Sequence, residues 1–295
     1  MNEKNMGHGV VRRNPIVKKV QKLSRQLKGQ RIGKSTTPFN WERGYDVRDT
    51  VGSIQIKNQG SSYSCGGQAG AYFLEIQRRL QNIREGAISA KSIYSPWDNI
   101  GGGMTVTELN TQIGAHGAVL EVTVPSYDTY GNPLSESMIH DSSWETPALL
   151  YDATTRAGYT PYDIAEDIET IAQTVQNYGA VLIEIRGNNN LTWLSPTPSV
   201  VKFGDYWYHY MCVIGAKQFG SEKKLVALNS WGEQCGNKGE QYFGEEWFRT
   251  KGIIDAFTFI HDSQIVPIPT AQPTRWQALA LWFRQQWGLA KSLAI

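Results

Sequence analysis

Gln59 and Cys65 stand six residues apart, immediately before an apolar, helix-like run. A cysteine at a helix N-terminus faces unpaired backbone N–H groups and the positive end of the macrodipole, and both favour the thiolate that attacks carbonyl carbon. Gln59 upstream could aim its side-chain amide at the oxygen that becomes negative, forming an oxyanion hole with the backbone N–H of Cys65. Such a thiol needs a base, and the chain has five histidines. His8 lies in a basic N-terminal stretch, His116 and His140 in polar loop-like sequence, and His261 after an apolar run. His209 is different, because it opens the apolar strand Tyr208–Ala216, where a side chain at the strand start sits at a sheet edge beside a cleft. A second strand, Lys224–Leu228, runs into Asn229-Ser230-Trp231-Gly232. Pairing the two strands as a hairpin would bring Asn229 beside His209. Its amide oxygen could then accept the imidazole N–H and hold one tautomer, with Trp231 shielding the bond. Each residue also has a plainer reading: a buried structural cysteine, a strand-ending asparagine, a loop glutamine bonded to backbone. The four in this order and context favour chemistry.

The set resembles the papain-like cysteine peptidases. That family has a Gln-Gly element before a Cys that starts a long helix, then a His that starts a strand, then Asn-Ser-Trp-Gly, here Gln59-Gly60, Cys65, His209 and Asn229–Gly232. Cys65 and His209 are 144 residues apart, within the roughly 130–150 expected for such enzymes. The resemblance extends from about Phe39, where Asn40-Trp41 replaces the family's Asp-Trp, to His261. It implies an α+β, two-lobe fold, with a helical lobe whose central helix starts at the nucleophile and a lobe built on an antiparallel β-sheet or barrel. It implies a cysteine endopeptidase acting on a protein or peptide substrate without cofactor or metal. Cys65 would be the nucleophile, His209 the base, Asn229 the orienter and Gln59 the oxyanion donor. Gly102 and Gly103, with Trp231, would make up the substrate-binding set. The family's Trp after the nucleophile is Gly66 here, the second Trp of its Trp-Gly-x-x-Trp-Gly element is Cys235, and its cysteine before the nucleophile is Ser62 or Tyr63. Losing those tryptophans removes aromatic walls around the catalytic pair. The alternative is therefore a catalytically impaired relative that serves as a structural or peptide-binding module. Acyl transfer from the same thiol to an amine also stays open.

The elements needed to position these residues are visible as periodic runs. Ala69, Phe73, Ile76 and Leu80 recur at helical spacing, which predicts a central helix from Cys65 to about Ile83. Thr107–Gly117 and Pro161–Tyr178 read as further helices, Ala180–Ile185 as a strand, and Asn188–Asn190 as a loop. Strands around His209, Leu225 and Phe257 complete a small sheet or barrel.

At 295 residues, 40% hydrophobic and 19% charged, the chain suits one two-lobed enzyme body with short extensions. A net charge of +2 implies no nucleic-acid partner. The distribution is uneven, however. Met1–Ser35 carries ten Lys/Arg and one Glu, a net of +9, which leaves −7 for the remainder. Residues 1–37 read as a basic extension, a possible short pro-segment, with Asn14-Pro15 capping an amphipathic helix through Ile16, Val20, Leu23 and Leu27. Such a helix could restrain the acidic body, bind an acidic partner or membrane, or simply pack. Residues 38–265 form the peptidase-like domain and 266–273 a proline-rich linker. From Thr274 to 295 a C-terminal amphipathic helix presents Trp276, Ala280, Phe283 and Trp287 on one face. It could pack back, dock a partner or lie on a membrane surface. Its polar groups are too many for a spanning segment, and no secretory signal is apparent. Three cysteines, with one as nucleophile, leave no disulfide framework and favour a reducing compartment such as the cytoplasm.

Overall fold

The computed structural model describes residues 31–32, 38–97, 102–200 and 206–261. The helix predicted over Ile16–Leu27, the 266–273 linker and the helix from Thr274 lie outside the described residues. The chain divides into a unit Met1–Ile260 and a unit His261–Ile295, and the first contains every candidate site residue.

The predicted central helix runs Cys65–Leu80 and is buried from Cys65 through Gln77. Arg78 and Arg79 sit in its last turn, where positive charge suits the macrodipole. It crosses the short helix Ala90–Tyr94 so closely that a Cβ at Gly67 would stand 2.7 Å from the Ala90 carbonyl oxygen, so glycine is required there. Buried Lys57 and Glu75 pair at 2.7 Å, and Glu75 also accepts from the Ile88 backbone N–H at 2.8 Å, pinning the chain before Gln59 onto this helix.

Eight strands form one sheet among the described residues: β1 Arg31–Ile32, β2 Tyr45–Asp46, β3 Tyr159–Ile164, β4 Val181–Gly187, β5 Trp207–Phe219, β6 Glu222–Leu228, β7 Glu240–Gly244 and β8 Ile253–His261. Their order is β1-β3-β8-β4-β5-β6-β7, with β2 pairing β5, so the sheet is open and not a closed barrel. The pairs β4–β5, β4–β8, β5–β6 and β6–β7 are antiparallel. Side-chain alternation sorts β4 and β5 between two apolar layers. Leu182, Tyr210 and Cys212 pack with Tyr72 and Phe73 of the central helix, while Val181, Ile183, Met211 and Val213 pack with Ile171 and Val175 of the helix Ile168–Tyr178.

One predicted helix needs correction. Over Pro161–Tyr178 the first part is strand β3, and the helix begins only at Ile168, after Asp167 caps the Thr170 N–H at 2.8 Å. Proline and two tyrosines in Tyr159–Ile164 suit an extended backbone, and the capping aspartate marks the true helix start. The end of the basic extension is held too: β1 lies parallel to β3, with Arg31 opposite Asp163.

Candidate active site

Cys65 is the first residue of the central helix and is buried. The helix's first turn contains no acidic residue, so its own side chains leave the positive end unneutralised. The turn leading into it is stapled by Gln59. The Gln59 Nε2 donates to the Ser62 carbonyl at 2.8 Å, Ser62 Oγ donates back to the Gln59 carbonyl at 2.7 Å, and Ser62 and Ser64 share a hydroxyl contact at 2.7 Å. Of the other two cysteines, Cys212 is buried in β5, and burial pushes its thiol well up from the ordinary range. None of the three cysteines forms a disulfide.

His209 and Asn229, both fully buried, meet at the start of β5 and the end of β6. His209 Nε2 lies 2.9 Å from Asn229 Oδ1. Asn229 Oδ1 also accepts the Ser230 N–H at 2.7 Å, and its Nδ2 donates to Gln241 Oε1 at 2.8 Å. The oxygen therefore faces the imidazole, and Nε2 must be the protonated nitrogen, which leaves the neutral ring's lone pair on Nδ1. Trp231 stacks on the imidazole, with ring centroids 4.6 Å apart and an interplanar angle of 28°. It is buried itself and covers the His209–Asn229 bond.

Backbone pairing ties the glutamine segment to the Asn-Ser-Trp-Gly segment. Asn58 and Trp231 form an isolated antiparallel bridge, Gln59 N donates to Ser230 O at 2.7 Å, and Gly232 N donates to Lys57 O at 3.1 Å. Ser230 Oγ donates to Gln59 Oε1 at 2.6 Å. Tyr72, two turns along from Cys65, donates its hydroxyl to the Asn229 carbonyl at 3.1 Å. Burial raises the Tyr72 phenol well above its usual range, so it stays a donor. Gln59, His209, Asn229 and Trp231 thus belong to one bonded assembly that also grips the helix carrying Cys65.

Gly103 has a φ of +73°, a conformation that glycine adopts without strain. Its N–H bonds the Tyr94 hydroxyl, which donates to Glu136 Oε1 at 2.6 Å, while Glu136 Oε2 accepts the Tyr63 N–H at 2.7 Å. The Gly102-Gly103 turn and the turn before Cys65 are therefore clamped to one carboxylate. Met104, next in the chain, packs over Gly66, where a Cβ would lie 3.0 Å from Met104 Cβ.

Replacement of the expected tryptophan by Cys235 does not strip the aromatic wall. Trp193, from the loop after β4, is fully buried and meets Trp231 at 5.9 Å, Trp207 at 4.7 Å and Trp247 at 5.6 Å between ring centroids. Cys235 Sγ donates to the Trp193 carbonyl at 3.2 Å. Neither Trp193 nor Gln241 is singled out by the sequence reading. A lone indole in a loop has no period to reveal its packing, and Gln241 carries no local mark of the two loop carbonyls it bonds. A cavity of about 600 Å³ lined by Val200, Lys223, Glu245 and others includes none of the candidate residues.

No protein-family model matches the chain, and no curated protein matches its sequence. Solved structures do match. Xylellain, a cysteine protease from Xylella fastidiosa, superposes with a TM-score of 0.64 at 14% identity, over 88% of this chain and 98% of that one. Procathepsin L2 from the larval midgut of Tenebrio molitor gives a TM-score of 0.63 at 16% identity, over 88% and 80% of the two chains. Procathepsin L 3 from the same source gives 0.57 at 20% identity, over 82% and 78%. An open, largely antiparallel sheet, a buried central helix beginning at Cys65 and this likeness to cysteine proteases together establish that the chain has the papain-like fold.

Proposed function

We propose that this chain is a papain-like thiol peptidase, and the observation that carries the proposal is the Trp231-covered bond between His209 Nε2 and Asn229 Oδ1 in a fold whose central helix starts at Cys65. With Nε2–H held by the amide, His209 Nδ1 takes the Cys65 proton, giving a thiolate and an imidazolium. The thiolate adds to a peptide carbonyl carbon. The oxygen gains negative charge opposite the Cys65 N–H and the second amide hydrogen of Gln59, whose carbonyl end is held by Ser230. The tetrahedral adduct collapses, the C–N bond breaks, and His209 gives its proton to the leaving amine. Water then attacks the thioester with His209 as base, releasing the acid and restoring the thiol. Asn229 and Trp231 hold and cover the ring, and the Gly102-Gly103 turn, with the Gly103 N–H already given to Tyr94, lies along extended substrate backbone.

The test uses the full chain with an epoxide or vinyl-sulfone thiol probe and a panel of fluorogenic peptides. The expected result is stoichiometric labelling at Cys65, peptide hydrolysis, and loss of both in Cys65→Ala. Asn229→Ala should keep partial turnover, since it orients without making bonds. A folded wild-type chain that resists the probe and cleaves no peptide would instead be the non-catalytic, peptide-binding relative.

A further inference from the structure

We infer that Gln241 is a positioning residue that sets the polarity of the His209–Asn229 bond from behind, an inference that rests on the peptidase reading above. Gln241 is fully buried on β7 and touches neither the imidazole nor Cys65 in any of the bonds described. Its Nε2 donates to two backbone carbonyls, Trp193 O at 2.6 Å and Ser195 O at 3.3 Å. Carbonyl oxygens only accept, so the amide nitrogen must face them and Gln241 Oε1 must face Asn229. Asn229 then has to present Nδ2, which it does at 2.8 Å, and its Oδ1 turns to His209 Nε2. The Trp193 and Ser195 carbonyls thereby dictate, through two amides, which imidazole nitrogen carries the hydrogen.

The opposite arrangement is costly at each junction. A flipped Asn229 would set Oδ1 against Gln241 Oε1, two buried acceptors without a proton between them. Flipping Gln241 as well would move the same clash to the Trp193 carbonyl, which also accepts from Cys235 Sγ. Without Gln241, the bonds described leave the Asn229 amide to the Ser230 N–H and to a long 3.5 Å contact with Cys235 Sγ. An orienter that can turn presents its NH₂ to the ring, favours the other tautomer and destabilises the imidazolium. Catalysis then suffers while substrate binding does not.

The experiment compares wild type, Gln241→Met and Gln241→Glu as full chains, measuring kcat, KM, the pH profile and the pH dependence of Cys65 alkylation by iodoacetamide. Met removes both ends of the relay at similar volume. Gln241→Met is expected to lower kcat about tenfold, the scale of one lost buried hydrogen bond, with KM within about twofold. The alkaline limb of kcat/KM and of alkylation should move down by about half a pH unit or more, since that limb follows loss of the imidazolium proton. In Gln241→Glu a carboxyl oxygen still accepts from Asn229 Nδ2 in either protonation state, so this variant should keep the wild-type alkaline limb and most of kcat, with ionisation opposing only the Trp193 and Ser195 carbonyls and lowering stability. The inference is overturned if Gln241→Met keeps the wild-type kcat and alkaline limb, or if Gln241→Glu lowers the alkaline limb as far as Gln241→Met does. Should Gln241→Met fail to fold, as a melting curve would reveal, the alkaline limb of Gln241→Glu decides, since a fall there overturns the inference and a limb at or above the wild-type position supports it. If wild-type Cys65 alkylates only near the ordinary thiol pKa of about 8.5, there is no ion pair, and the peptidase reading falls together with this one. Normal wild-type alkylation beside an unchanged Gln241→Met profile removes only the role of Gln241.

Discussion

Ser230 Oγ donates to Gln59 Oε1 at 2.6 Å across 171 residues of sequence. The Ser62 carbonyl, which can only accept, fixes the Gln59 nitrogen toward the Cys65 turn at 2.8 Å, and the Ser230 hydroxyl steadies the carbonyl end on the other side. Ser230→Ala is expected to reduce kcat about tenfold, a single hydrogen bond's worth, with little change in KM. Gln59→Ala should cost about 10²–10³-fold, the loss associated with an oxyanion donor. The double variant should be no worse than Gln59→Ala. Additive losses in that cycle would mean Ser230 acts elsewhere.

Met104 occupies the space over Gly66, with its Cβ 3.0 Å from where a Cβ would be. Gly66→Trp should therefore overpack the helix start and cost about 1–3 kcal/mol, read as a melting temperature several degrees lower. Met104→Ala clears the Sδ and Cγ, at 3.3 and 3.4 Å from that position, but keeps the Cβ, so Gly66→Trp with Met104→Ala should recover part of that loss. If the double variant melts no higher than Gly66→Trp alone, the Met104 side chain beyond Cβ is not what excludes a larger residue there.

Glu169 anchors the start of the described body: it accepts Trp41 Nε1 at 2.8 Å and the Phe39 N–H at 3.4 Å, and pairs with Lys223 at 2.6 Å. Burial alone would raise its carboxyl, but the bonds from Lys223 and Trp41 outweigh it, and the net shift is downward. A folded pKa below the unfolded value, about 4.3 for Glu, gives stability that is present above that pH and lost as pH falls through the folded pKa. Thermal melts from pH 7 to pH 3 should show wild type losing stability in that acid window. Glu169→Gln should start lower at pH 7 and lose less. An equal acid slope would move the effect to other lowered carboxyls, Asp46 beside Arg48 first.

The first 35 residues carry ten basic side chains against a net charge of −7 for the remainder of the chain, and Arg31–Ile32 enters the sheet as β1. If that extension restrains the body electrostatically, a chain starting at Pro38 will be more active than the full chain at low salt. The difference will close near 1 M salt, where the Debye length is about 3 Å. Equal kinetics at low salt would leave the extension with no restraining role. The shortened chain should also melt lower, because β3 loses its edge partner.

Residues whose local sequence carries their own signal are legible without the structure. Helical spacing from Ala69 to Leu80 locates the central helix, and the apolar runs after His209 and before Asn229 locate β5 and β6. Over Pro161–Tyr178 the apolar spacing misleads, because the cap at Asp167 is the stronger mark of where the helix starts. Trp193 and Gln241 escape a sequence reading because what defines them is tertiary: a loop indole finding three other indoles, and a strand amide finding two carbonyls from another loop. Local periodicity has no access to partners 46 or 48 residues away.

The Asn58–Trp231 bridge has a consequence for the order in which the protein folds. It closes a loop spanning most of the body, and contacts of such separation pay their chain entropy before any contact rewards it. The helix bearing Cys65 can form locally and early, but Gln59 and the His209–Asn229 pair reach their stations only when that long loop shuts. If the chain is the peptidase proposed above, a nascent or half-folded molecule holds its thiol apart from His209, and reactivity would be withheld until the exposed, unfolded segments that a peptidase cuts first are gone.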